Sequence, residues 1–119
     1  MSIQWARLQT DVPCQLRRGA WYPVLRLAAT EAVIEVIKGK PTPVPRTYLR
    51  ITPTPSRTWT VVPRPARAAR LPASWGDAYG VCPNCRHREA LVDRPAKLRC
   101  QRCNGFFDVA WEERYLQAG

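Results

Sequence analysis

VCPNCRHREALVDRPAKLRCQRCNG, from Val81 to Gly105, holds two Cys-x-x-Cys pairs, Cys82/Cys85 and Cys100/Cys103, with fourteen residues between them. Each tight turn presents two thiolates to one ion, and two such turns fill the four corners of a tetrahedron. The intervening RHREALVDRPAKLR is long enough for two strands with a turn near Asp93–Lys97, and NGFFDVAW can return as a third. The stretch therefore predicts a small β module organised around a metal. Four thiolates fill the coordination shell and leave no open position for water, so the expected role is structural, with one Zn²⁺ supplying folding energy. Iron in a four-thiolate site is the competing reading, because the same ligands suit it.

The residues CPNC…LRCQRCNGFFDV resemble the short bacterial zinc-ribbon motif, C-P-x-C followed by R-C-x-x-C, an aromatic residue and a strand. The resemblance covers residues 81–110 and implies a zinc-binding module of the kind used in transcription, translation and adaptor roles. One departure stands out. Many knuckles place Gly directly after the second Cys, where the backbone turns left-handed. Here those positions hold Arg86 and Asn104. Asn accepts that conformation, whereas Arg does so less readily, so the first knuckle is expected to be the looser one.

The chain around this module is basic. Its 119 residues carry 19 Lys and Arg against 9 Asp and Glu, a net charge of +10. Only Lys38, Lys40 and Lys97 are lysines, which leaves 16 Arg. Arginine favours planar contacts with phosphate and carboxylate and stacks on rings. This balance points to an anionic partner, nucleic acid or a nucleoprotein complex. The N-terminus shows no basic region followed by an apolar stretch, and LAATEAVIEVI is too short and too acidic to span a bilayer. The expectation is a cytoplasmic protein with no membrane association, where paired cysteines read as metal ligands before disulfides.

PRPARAARLPASWG, residues 63–76, is rich in Pro, Ala and Arg and marks a linker or extended arm. It separates a basic module, residues 1–62, from the metal module at 77–119. Divided after residue 76, the chain carries +9 in the first part and +1 in the second. Short strand signals fill the first module: AWYPVLRL, EAVIEVIKG, KPTPVPRTYLRI and TWTVV, with Lys38-Gly39-Lys40 as a hairpin turn. Pro41, Pro43 and Pro45 all take odd positions and remove N–H donors along one side, as suits an edge strand. This is a mainly β chain, and the expected architecture is a small N-terminal β-barrel-like module plus a C-terminal zinc ribbon with a short terminal helix over AWEERYLQAG. Residues 20–62 are weakly similar to SH3-like or KOW-type small barrels, in which a single turn often precedes the last strand.

Rings alternate with guanidinium groups along the first module, a pattern that suits single-stranded nucleic acid. Trp21, Tyr22 and Trp59 are assigned to the core. Arg17, Arg18, Arg46, Arg50 and Arg57 are assigned to a nucleic-acid surface, with Arg64, Arg67 and Arg70, three apart, as a phosphate-contacting arm. Cys14 reads as a small buried hydrophobe. The only His, His87, is no partner for it, and neither paired carboxylates nor a phosphate loop is present, so an enzyme is not expected. The function expected is a non-enzymatic transcription or translation accessory factor that meets nucleic acid, RNA polymerase or the ribosome. The alternative is a protein–protein adaptor docking through Trp111, Tyr115 and Leu116.

Overall fold

The computed structural model describes residues 3–12, 14–64 and 71–116. Within them every regular element is a strand or a single 3₁₀ turn, and α-helix is absent. Two compact units divide between Ser56 and Arg57.

The first unit is a five-stranded antiparallel sheet built from β1 (Gln4–Leu8), β2 (Tyr22–Leu27), β3 (Glu31–Ile37), β4 (Lys40–Pro45) and β5 (Leu49–Thr52). Its spatial order is β4-β3-β2-β1-β5. Gly39, at φ +82°, makes the tight turn between β3 and β4. A 3₁₀ turn, Arg46–Tyr48, leads into β5. Residues of alternating strand phase supply the core: Ala6 and Leu8 from β1, Tyr22 from β2, Ala32 and Ile34 from β3, Val44 and Leu49, joined by Leu16, Ala20 and Trp21 from the long β1–β2 connection. Trp21 and Tyr22 are thus buried as the sequence implies.

The expected barrel is not closed. Among the described residues β4 and β5 are the two edges of the sheet and share no ladder. The proline pattern gives the physical reason. β4 pairs with β3 through Ala32↔Val44 and Ile34↔Thr42, and the intervening odd positions are Pro41, Pro43 and Pro45. The even positions keep their N–H groups for the β3 ladder, and the outer edge is left without donors to offer β5. β1 itself lies in QWARL, a segment not assigned to a strand from sequence; it pairs with both β2 and β5.

The second unit contains β6 (Thr60–Pro63), β7 (Ala78–Val81), β8 (Arg88–Ala90), β9 (Lys97–Arg99) and β10 (Phe106–Asp108). β6-β7-β8 form one antiparallel sheet and β9-β10 a separate hairpin. TWTVV, assigned from sequence to the first module, lies in this unit: Thr60 pairs with Val81 and Pro63 with Ala78. The expected strands between and after the cysteine pairs all form, but β8 and β9 belong to different sheets. The left-handed residues Asp93 and Arg94 turn the chain between them.

The expected C-terminal helix is absent from the described residues. Trp111–Glu113 makes one 3₁₀ turn, and Arg114 then adopts φ 54° and Leu116 φ 56°. Two left-handed residues so close together stop helical propagation.

The new boundary changes the charge distribution. Residues 1–56 hold 8 Lys and Arg against 3 acids, and residues 57–119 hold 11 against 6, so each unit carries +5.

Candidate metal centre

Cys82 and Cys100 each directly follow a strand, β7 and β9, and each opens a turn that closes its own antiparallel pair. The first turn is bounded by Val81↔Arg88 of β7–β8, the second by Arg99↔Phe106 of β9–β10. Their backbones repeat one hydrogen-bond scheme. Cys82 N–H donates to His87 O (2.8 Å) and Arg86 N–H to Cys82 O (3.1 Å); Cys100 N–H donates to Gly105 O (2.7 Å) and Asn104 N–H to Cys100 O (2.9 Å). Arg86 and Asn104 are left-handed, at φ 67° and 65°. Arg86 adopts the backbone that Asn104 adopts, and the same two bonds close both knuckles, each slightly longer in the first.

The two turns bring four sulfurs together. Their Sγ atoms all lie within 4.8 Å of one another. Cys82 Sγ is 3.7 Å from Cys103 Sγ, and Cys85 Sγ is 3.5 Å from Cys100 Sγ. A disulfide needs about 2.0 Å, so these contacts are far too long to be covalent. A tetrahedral ion with metal–sulfur bonds of about 2.3 Å has sulfur–sulfur edges of about 3.8 Å, which the observed pairs match. The four cysteines are thus placed to bind one metal ion, and the donor set suits zinc. Backbone N–H groups turn toward the sulfurs as well: Asn84 to Cys82 Sγ at 3.4 Å, Arg102 and Cys103 to Cys100 Sγ at 3.4 and 3.5 Å.

Burial pushes the Cys82 thiol up to about 12. Burial also raises Cys85. Cys103, nearer the surface, is drawn down to about 6, first by its hydrogen bond with the Asn84 side chain and then by the Gly105 backbone. Without a cation, burial favours the protonated forms of Cys82 and Cys85; a divalent ion supplies the charge that lets the sulfurs ionise.

The core beneath the cluster is continuous with it. Cys82 and Cys100 are buried together with Trp59, Val61 and Val109, and Leu91, Leu98, Phe107 and Trp111 pack against them. Trp59 is fully buried; its indole N–H donates to Leu98 O (2.8 Å). Its backbone N–H donates to Asp108 O (2.8 Å), and its carbonyl accepts from Ala110 N–H (3.0 Å). The residue just before β6 is therefore bonded to the β9–β10 hairpin as well. Gly105 is required by close approach: a Cβ there would lie 2.5 Å from Phe107 Cε2.

The remaining candidates are dispersed. His87 is not among the clustered donors. Cys14 is exposed, not buried as expected. Arg17 and Arg18 lie in the β1–β2 connection, where Arg18 Nε pairs with Asp11 (2.7 Å). Arg46 is exposed and donates to Ala28 O (2.9 Å). Arg50 is exposed and stands opposite Arg7 in the β1–β5 register. Arg57, also exposed, belongs to the second unit, 5.8 Å from the Phe107 ring centroid. Arg64 donates through Nε to Gly76 O (2.6 Å) and also to Leu71 O and Pro72 O, so its guanidinium fastens the Leu71–Gly76 turn. Arg67 and Arg70 lie outside the described residues. Of the adaptor anchors, Trp111 is half-buried with its indole N–H donated to Pro95 O (2.8 Å), Tyr115 is buried, and Leu116 is half-buried.

Sequence reasoning passed over the outer face of β9–β10. Arg99 lies 5.1 Å and Lys97 5.8 Å from the centroid of the exposed Phe106 ring. The signal was a period of two in KLR and FFD, hidden by the shortness of both strands. Compared with known proteins, the chain matches no family model, no curated sequence and no solved structure.

Proposed function

We propose that the chain is a non-enzymatic zinc-ribbon protein that binds nucleic acid, or a nucleoprotein machine such as RNA polymerase or the ribosome, as an accessory factor. The metal-site geometry supports the structural half of this reading. Four sulfurs within 4.8 Å of one another, two of them in the hydrophobic core, would fill the shell of one ion and leave no position for a substrate or water. Cys82, Cys85, Cys100 and Cys103 would hold one Zn²⁺, which joins the β7–β8 and β9–β10 turns. Metal analysis separates zinc from iron: a zinc protein is colourless with one equivalent of zinc, whereas a red protein would overturn the assignment.

The nucleic-acid half rests on charge. Each unit carries +5, so cationic surface is present in both and is not confined to the first. With four thiolates and Zn²⁺ the second unit retains +3. The test is binding of the zinc-loaded chain to single- and double-stranded DNA and RNA across a salt series. Affinity should fall linearly on a log–log plot, because each neutralised phosphate releases counterions. No binding at low salt refutes this half and gives the charge to an acidic protein partner.

A further inference from the structure

The β9–β10 hairpin shows two different faces. Leu98 pairs with Phe107, and both turn toward the metal-side core. On the other face Lys97 pairs with Asp108 and Arg99 with Phe106. Phe106 is 54% exposed there, although a ring of that size in a strand ordinarily seeks the interior. Two cations are held beside it. Arg99 Nη1 donates to Asn104 O (3.1 Å), which holds the guanidinium near the ring. Lys97 shares its charge with Asp108 at 3.7 Å.

We propose that this face is a docking platform for single-stranded nucleic acid, with Phe106 stacking on a base and Arg99 and Lys97 holding the flanking phosphates. It deepens the nucleic-acid reading above and rests on it, placing a specific contact on the metal unit. Three features carry the argument. An exposed ring beside cations is the pairing that sequence-tolerant binding of a single strand uses, since every base has a stacking face and every nucleotide a phosphate. The platform is anchored, because Leu98 and Phe107 on its reverse face pack on the core and the second metal knuckle joins its two strands. The charge still favours a polyanion, since Arg102, exposed at the knuckle, adds a third cation against two carboxylates, Asp108 and Glu89, the latter accepting from Gln101 N–H at 2.8 Å. Duplex nucleic acid fits less well, because its bases are already stacked and their faces hidden.

The experiment uses the zinc-loaded full chain and measures fluorescence anisotropy with labelled oligothymidylate and oligouridylate of about 12 nucleotides and a duplex of equal length. Phe106→Ala should weaken single-strand binding on the order of 5- to 100-fold, the usual range for loss of one stacked base. Phe106→Trp should restore it. The double variant Lys97→Gln/Arg99→Gln should make the log–log salt slope shallower by about 1.4, for two phosphates lost on a single strand. Zinc content and circular dichroism confirm that each variant is folded, as expected for exposed positions. Wild-type binding that survives Phe106→Ala unchanged overturns the platform while leaving the broader reading intact. A wild-type chain that binds no oligonucleotide at low salt overturns both. Displacement of the oligonucleotide by polyglutamate at equal charge concentration overturns the platform in favour of an acidic protein.

Discussion

Replacing Trp59 should cost the protein its metal, although the indole touches no ion. Trp59 is fully buried in the cluster that includes Cys82 and Cys100, and its N–H satisfies Leu98 O in the hairpin that carries the second knuckle. Truncating such a side chain to Ala removes its buried area and leaves a cavity, a loss of about 3–5 kcal/mol. A unit of this size holds only a few kcal/mol in total, so the metal-free form of the variant is unfolded. Metal binding then has to drive folding, and the part of the loss that exceeds the unit's own metal-free stability passes into the apparent affinity. A loss of about 4 kcal/mol against a metal-free stability of about 2 kcal/mol leaves about 2 kcal/mol, a zinc Kd weaker by about thirtyfold. Trp59→Phe keeps most of the ring but strands the Leu98 carbonyl, for a smaller loss of about 1–3 kcal/mol. Competition with a chromophoric chelator measures both. Zinc affinity in Trp59→Ala within a few-fold of wild type would show that the metal site stands without its tryptophan and refute the reasoning.

Zinc affinity should also rise steeply with pH. In the metal-free chain, burial keeps Cys82 (about 12) and Cys85 protonated near neutrality, whereas Cys103 (about 6) is ionised. Binding therefore releases at least two protons, and affinity gains at least about two orders of magnitude per pH unit above pH 6, falling more steeply below it as Cys103 is protonated; chelator titrations giving a slope of one or less would contradict this. Gly105→Ala drives a Cβ into the Phe107 ring and should lower the stability of the zinc-loaded unit by about 1–3 kcal/mol in a thermal melt. An unchanged melting temperature would mean that the ring moves aside freely. Replacing Pro41, Pro43 and Pro45 together by Thr restores donors to the outer edge of β4 and should produce concentration-dependent self-association in sedimentation. A monomeric triple variant would remove the protective role from the prolines.

The parts of this protein legible in its sequence are those fixed by neighbours along the chain. Cysteine spacing is local, so the four donors could be read directly, and the odd-numbered prolines announced an edge strand. What escaped depends on distance. Trp59 looked like a residue of the preceding module because its partners, Leu98 and Asp108, lie about forty and fifty positions later. The open sheet was read as a barrel because short strands and turns are common to both; only the missing β4–β5 ladder separates them. AWEERYLQAG carries a helical pattern, but Arg114 and Leu116 adopt left-handed backbones that no propensity forecasts. Arg64 looked like a phosphate contact, yet its guanidinium is engaged by carbonyls that appear only once the Leu71–Gly76 turn has folded.

The matched knuckles also bear on how the ion arrives. Each is closed by hydrogen bonds spanning four and five residues, so each forms from local chain alone and offers two sulfurs before the other exists. Neither has a backbone advantage, since Arg86 and Asn104 share one conformation. Loading is therefore a branched kinetic scheme with two parallel first steps, either knuckle capturing the ion before the fourteen-residue segment closes upon it. Damage to one turn slows one branch and leaves the other running. Release runs back along the same two branches, with either knuckle letting go first and the other keeping a bidentate grip until it too opens.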